Sequence, residues 1–316
     1  VLLEIGIVRL SLIILGVIFA GILVLEAILR FVLGLGNPPI YRADKEIGYL
    51  LAPDQKTRRS RNRIEINQYS MRSEPISAFP AAGTTRVLLL GDSIANGAWW
   101  TDQSRTIPAL IRERLSRSLS SPVESLNASA NSWGPRNQLA YVQRFGIFES
   151  RMVVLLLNTD DLFSTAPSSA VVGNDINYPD RSPGFALIEL YDRYLKRYPP
   201  LPPVREKGDR VKANLETVEK IQAIATEKGA SFLLAITPLI RESRKESREH
   251  EIKARQRLAE FAGERSIAFL DFLPIFQEVA PVESLYRDNI HLSPAGNDLV
   301  SDRLAEAILK EMKGKE

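Results

Sequence analysis

A serine hydroxyl becomes a nucleophile at neutral pH only when a neighbouring base takes its proton, and this chain of 316 residues has 2 histidines and no cysteine. Ser93 lies in "RVLLLGDSIANG", where the short apolar run 87–90 is broken by Gly91 before a segment able to begin a helix. A serine at that junction stands at the carboxyl edge of a sheet, where open α/β sheets keep their sites, and it is equally an ordinary helix N-cap. His250 falls inside "RESRKESREHEIKARQRL", a run with the charge spacing of a solvated helix, which argues against a catalytic role. His291 falls in "YRDNIHLSPAG", three residues after Asp288, a spacing that lets imidazole and carboxylate face one way across a turn. Asp288 is thereby a candidate to fix the tautomer of His291 and stabilise its cation. As a bare pattern, Asp-x-x-His describes structural pairs as well as catalytic ones.

The elements that would bring these residues together can be read from hydrophobic periodicity. Strands are expected at 87–90, 123–126, 152–157, 232–236 and 267–270, and helices at 107–119, 136–145, 211–226, 243–262 and 294–312. Their alternation predicts a five-stranded parallel sheet covered on both faces, within a segment 86–316. The stretch 162–209, proline-rich around 199–203, does not fit the alternation; it reads as a lid with one helix at 185–198 or as a surface insertion. The charged run 241–258 reads as an exposed helix. Trp99 and Trp100 follow Ser93 closely, and burial beneath the first helix is favoured for them over a role as cavity wall; Trp133 and Tyr286 lie near the site in sequence without an assigned role.

A net charge of +3, from 41 basic and 38 acidic side chains, is too small to argue for a nucleic-acid partner. The basic run 56–63, "KTRRSRNR", suits lipid headgroups, an acidic polymer or a solvated loop. Without cysteine, disulfides, thiol catalysis and thiolate metal sites are excluded. At the other extreme, 10–25 carries no charge, and apolar character resumes past Glu26 and Arg30 as far as Leu35. With end residues free to snorkel this is long enough to span a bilayer, so 1–35 is expected to be an uncleaved anchor, with membrane contact through residues 5–35; the alternative is a buried helix. Basic residues beyond the span outnumber Arg9 before it, which on charge alone keeps the large domain in the cytoplasm, although long domains cross largely regardless. Residues 36–85 read as a tether and small lead-in element.

In combination, "GDSIANG" after the first strand and "DNIHLSPAG" before the last helix resemble the SGNH, or GDSL, hydrolase family, over about 86–312. The resemblance implies a flavodoxin-like three-layer sandwich with Ser93 as nucleophile, His291 as base and Asp288 as its orienting acid. It also implies an oxyanion hole formed by the Ser93 N–H with donors from two middle blocks. In "LNASANSWGP" Ser129 takes the place of the family glycine, and in "VVLLLNTDDLF" Asp160 takes the place of the family asparagine. An ionised carboxylate offers no proton to an oxyanion. Either Asn158 is shifted into the role, or Asp160 is a protonated, buried acid, or the protein is a weak or specialised catalyst; the first and third are favoured. The lead-in "EIGYLLAPDQ" with "INQYSMRSEP" is similar to the segment preceding the hydrolase domain in membrane-anchored SGNH proteins. The implied function is a membrane-anchored serine esterase or acylhydrolase acting on an acylated envelope carbohydrate or lipid, its domain outside the cytoplasm, with no metal or organic cofactor. An O-acyltransferase on the same scaffold and a non-catalytic ligand-binding protein with a decayed oxyanion hole are the alternatives.

Overall fold

The computed structural model describes residues 2–201, 204 and 206–313. Of the expected insertion, Pro202, Pro203 and Arg205 lie outside the described residues, as do residues 314–316 at the end of the expected hydrolase segment. The chain opens with α1 (Leu2–Phe31), followed by the strands β1 (Tyr41–Asp44), β2 (Gly48–Leu51), β3 (Gln55–Arg59) and β4 (Asn62–Ile66). Then come β5 (Thr85–Gly91), α2 (Ser93–Asn96), α3 (Ile107–Ser118), β6 (Val123–Ser129), α4 (Pro135–Phe145) and β7 (Met152–Asn158). After the irregular stretch carrying α5 (Ala186–Tyr194) follow α6 (Arg210–Glu227), β8 (Ser231–Thr237), α7 (Ile240–Ser243), α8 (Glu249–Glu264), β9 (Ala268–Asp271), α9 (Phe272–Gln277) and α10 (Pro294–Lys313).

The five strands from β5 onward form one parallel sheet in the order β6-β5-β7-β8-β9. Because side chains alternate across a strand, Val87 and Leu89 of β5 face one way with Val154 of β7, packing on Ile111 of α3 and Leu304 of α10. Leu88 and Leu90 face the other way with Val153 and Leu155, packing on Val142 of α4, Val218 of α6 and Leu258 of α8. A sheet buried on both faces needs unbroken apolar runs, which is why these strands read as solid Val/Leu blocks. The result is the three-layer sandwich expected from the sequence. Its order makes the chain leave β5 for β6 on one side and return to β7 on the other. The crevice at that switch point is where such sheets bind ligands.

The single charged helix expected over 243–262 is divided. The first piece, α7, ends at Ser243, and Lys245 adopts a left-handed φ of 65° before α8 begins at Glu249. Glu242 and Glu251 explain the break: each carboxylate turns back to accept a capping N–H, from Leu239 at 2.7 Å and Arg248 at 2.9 Å. The run is also less solvated than its charge suggests. Glu242, Glu251 and Arg255 are buried, Arg255 reaching Asp271 and the Thr159 hydroxyl, which itself donates to Glu242. The insertion helix, expected at 185–198, is shorter, Ala186–Tyr194.

The lead-in forms two antiparallel hairpins, β1–β2 and β3–β4. Tyr41 and Tyr49 pack against Tyr178 of the insertion with ring centroids 5.1 and 5.2 Å away, and the Trp133 indole donates to the Tyr49 carbonyl at 3.0 Å. Ahead of the hairpins, residues Ile5–Phe31 make a helix long and apolar enough to cross a membrane, almost wholly exposed along its length.

Asp44 and Arg144 join the first hairpin to α4 through hydrogen bonds of 2.5 and 2.8 Å. The Arg144 guanidinium holds the Asp44 carboxyl down to about 2. A depressed carboxyl contributes stability that is complete above its unfolded value near 4 and is lost as pH falls through the folded one. Acid titration between about pH 4 and 2 is therefore expected to destabilise the wild type more than Asp44→Asn, and the variant is expected to be about 0.5–1 kcal/mol less stable at neutral pH, the pair being partly solvated. Urea unfolding at graded pH reads both.

Candidate active site

The Gly-Asp-Ser turn closes so tightly that a side chain at Gly91 would meet the Ala95 Cβ at 2.5 Å and the Leu156 carbonyl at 3.2 Å. Asp92, not Ser93, is the N-cap of α2: its Oδ1 accepts the Ile94 N–H at 2.9 Å. The cap being taken, the Ser93 hydroxyl is left for other work. It lies 2.9 Å from Nε2 of His291 and 3.3 Å from Oδ2 of Asp92.

His291 comes from the loop before α10. Its Nδ1 lies 2.8 and 3.1 Å from the two carboxylate oxygens of Asp288, and Asp288 Oδ1 also accepts the N–H groups of Ile290 and His291, at 3.0 and 2.8 Å. Partial burial pushes this carboxyl up. The two backbone donors and the imidazole outweigh that effect and hold it below the usual range, which keeps it ionised. The Trp100 ring stands edge-on to the imidazole, centroids 4.7 Å apart, and the Arg287 guanidinium lies 4.8 Å over the same indole. The structure thus brings Ser93, His291 and Asp288 into one hydrogen-bonded line.

These residues open into a cavity of about 340 Å³. Its floor is Ser93, Asn96, His291 and Asp288; its walls are Leu51, Ile64 and Ile66 of the hairpins, Trp99 and Trp100, and Tyr178 of the insertion. The tryptophans are therefore wall residues, Trp99 exposed and Trp100 partly buried, rather than the core residues favoured from sequence. Trp133 and Tyr286 are buried elsewhere, the Tyr286 hydroxyl meeting Ser243 and the Pro238 carbonyl. His250 is on α8, its ring against Phe163.

Of the other residues expected to stabilise an oxyanion, none lines the cavity. Ser129 ends β6 and is buried, its hydroxyl donating to Asn127 at 2.5 Å and its carbonyl accepting from Asn96 at 3.1 Å. Asn158 is buried beside Asp92, its amide donating to Asp92 at 2.8 Å and to Asp161 at 3.1 Å, which uses both protons. Burial pushes up both carboxyls that share this amide, Asp161 furthest because Asp92 also repels it. Asp160 is exposed, 4.0 Å from Arg241, and not the buried acid weighed from sequence.

What lines the cavity instead is Ser132, three residues past the end of β6, at a left-handed φ of 56°. Its N–H has no acceptor among the described residues, and its hydroxyl accepts from Tyr178 at 2.8 Å. A serine in a backbone conformation suited to glycine occupies the turn that reaches over the sheet edge, and the strand boundary at Ser129 is what separates the two. The place of the family glycine, expected at Ser129, is thus on the strand itself, three residues before the residue that lines the cavity.

Arg72 was also unread. Buried among the lead-in residues, its guanidinium donates to the carbonyls of Asn96 at 2.6 Å, Thr101 at 2.5 Å, and Ala98, clamping the loop that runs from Ser93 past the tryptophans. Burial pushes its pKa down to about 10. Across the cavity mouth Arg59 of β3 pairs with Glu189 of α5, both buried, and Arg193 adds a 2.8 Å bond to the same carboxylate.

A family model described as the GDSL-like Lipase/Acylhydrolase family matches residues 89–299. Among solved structures, an acetyl xylan esterase, AlAXEase, is 14% identical, covering 71% of this chain and 99% of its own, with a TM-score of 0.48. A lipase/acylhydrolase from Enterococcus faecalis is 17% identical, covering 73% of this chain and 96% of its own, with a TM-score of 0.45. TesA is 18% identical over 73% of this chain and 99% of its own, with a TM-score of 0.46. No curated protein sequence matches the chain.

Two substitutions separate strain from support. In a Tyr178→Phe background, where no hydroxyl loses its acceptor, Ser132→Gly relieves a left-handed φ and is expected to raise stability by about 1 kcal/mol. Arg72→Met leaves buried carbonyls without a donor, and a loss of roughly 3 kcal/mol is expected. Urea midpoints of the two variants check both signs.

Proposed function

The chain belongs to the GDSL-like lipase/acylhydrolase family and is a hydrolase acting on ester bonds, and from that premise we propose that it works through an acyl-serine intermediate on Ser93. The observation that carries this reading is the line from Asp288 through His291 to Ser93 at hydrogen-bond distances, opening into a cavity. Ser93 Oγ attacks the acyl carbon while its proton passes to Nε2 of His291; ionised Asp288 keeps Nδ1 protonated and steadies the cation. The tetrahedral oxyanion falls to the N–H groups of Ser93, at the first position of α2, and of Ser132, neither of which has an acceptor among the described residues. The C–O bond to the alcohol then breaks as His291 returns the proton to the leaving oxygen. Water repeats the sequence from the other side, releasing the acid and restoring the serine.

The apolar wall of Leu51, Ile64, Ile66 and the two tryptophans suits an acyl chain or the face of a sugar ring. The proposed substrate is an acylated lipid or glycan of the cell envelope. Ile5–Phe31 supports anchoring in the membrane, where its exposed apolar surface would otherwise meet water. The catalytic unit is assigned to the extracytoplasmic side, on the resemblance of the lead-in to membrane-anchored relatives. A C-terminal reporter active only in the cytoplasm would overturn that side.

Full-length protein in detergent is expected to hydrolyse a short-chain aryl ester with a burst and to be labelled by a serine-reactive phosphonate. Ser93→Ala is expected to lose both, with activity down by about 10⁴-fold or more, and Asp288→Asn to fall by about 10⁴-fold while folding normally. Wild-type protein that neither turns over nor labels would point to a ligand-binding role and sink the mechanism.

A further inference from the structure

The insertion helix α5 is amphipathic in the wrong sense for a surface helix. Its buried side carries Ala186 and the ion-paired Glu189, while Phe185, Ile188, Tyr191, Tyr194 and Leu195 stand exposed on the opposite arc. A soluble surface does not gain from a row of large apolar side chains facing water. Where α5 sits resolves this. The Glu26 carboxylate of α1 accepts its first N–H groups, Ala186 at 2.8 Å and Leu187 at 3.0 Å, and Arg30 donates to the Gly184 carbonyl at 3.0 Å. Glu26 lies five residues before Phe31, so at a rise of about 1.5 Å per residue α5 starts roughly 7 Å below the end of α1. That is the level at which the uncharged run 10–25 stops.

The other side of the exit is basic. The turn of the β3–β4 hairpin is tied to the same point, the Ser60 N–H donating to the Leu33 carbonyl at 2.9 Å and Arg59 to that of Gly34 at 2.8 Å. Here the run 56–63 presents Arg58, Arg61 and Arg63 to solvent, and Arg58 and Arg61 have no acidic partner among the described residues. Aromatic and apolar side chains on one flank with unpaired arginines on the other are the composition of a surface that lies in lipid headgroups.

We propose that α5 and the β3–β4 turn form a collar that seats the catalytic unit on the headgroup layer of an anionic bilayer, so that the cavity takes its ester from the bilayer surface. Pro38 and Pro39, just past the span, and Pro179 and Arg193 of the insertion line that cavity, which puts its mouth beside the collar. This rests on the membrane-anchored part of the function proposed above and deepens it. The docking partner is the lipid surface continuous with the span itself.

The absence of cysteine lets one be placed at will. Full-length protein carrying Ile188→Cys, Ile18→Cys or Ile252→Cys, the last an exposed position of α8, is labelled with an environment-sensitive fluorophore. Each is reconstituted in phosphatidylcholine–phosphatidylglycerol nanodiscs with lipid brominated near the headgroup or at mid-chain. Expected results are loss of fluorescence at position 188 with headgroup-proximal bromine, loss at 18 with mid-chain bromine, and no loss at 252. Arg58→Glu with Arg61→Glu is expected to reduce the loss at 188 while leaving hydrolysis of a water-soluble aryl ester unchanged. If position 18 is quenched and 188 is not, the collar is wrong and the anchor stands. A blue-shifted but unquenched label at 188 means that protein covers the face, which also overturns the proposal. If 18 itself escapes quenching, the anchor fails and the collar with it. Quenching at 188 that is indifferent to the arginine reversals overturns the anionic requirement.

Discussion

The hydrogen bond of 2.9 Å between His291 Nε2 and Ser93 Oγ joins residues separated by 198 positions in the chain. A proton relay tolerates little error in that length, so both partners must be held by something stiffer than a loop. Ser93 is fixed by the first strand of the sheet and by Asp92, which caps α2 and is itself held by Asn158. His291 is fixed by Asp288, whose carboxylate takes two backbone donors as well as the ring. The parallel sheet supplies the rest, with β5 ending just before Ser93 at the switch point between β6 and β7, and α10, which follows His291, packed on one face of the sheet.

The fold was largely legible because a doubly covered sheet writes itself in the sequence as solid apolar runs. All five strands lie within a few residues of where periodicity put them, four of them longer than expected, as in Val123–Ser129, and β9 shifted by one residue. That small extension mattered more than its length suggests. With β6 running to Ser129, the turn over the cavity falls at Ser132, and a block matched by residue type alone landed on the strand. The broken charged helix failed for another reason: capping by Glu242 and Glu251 is a local hydrogen-bond choice that helical charge spacing does not encode.

That Ser93, Asp288 and His291 meet could be anticipated because nucleophilic chemistry limits which residues can take part, and the chain contains so few histidines. Arg72 could not be found, since a buried guanidinium that bonds only carbonyls leaves no partner pattern in the sequence. The tryptophans were misweighed because burial under a helix and exposure on a cavity wall follow the same apolar signal. Only the hairpins opposite them decide which it is.

Those hairpins have a consequence of another kind. The family match begins at residue 89, yet Leu51, Ile64 and Ile66, which line the cavity with Ser93, and Arg72, which holds the loop after it, all precede it. On the proposed acyl-serine reading, reactivity and selectivity are inherited from different stretches of the chain. Two relatives with identical catalytic blocks and different lead-ins would break the same bond in different molecules, and a comparison confined to the blocks would judge them interchangeable.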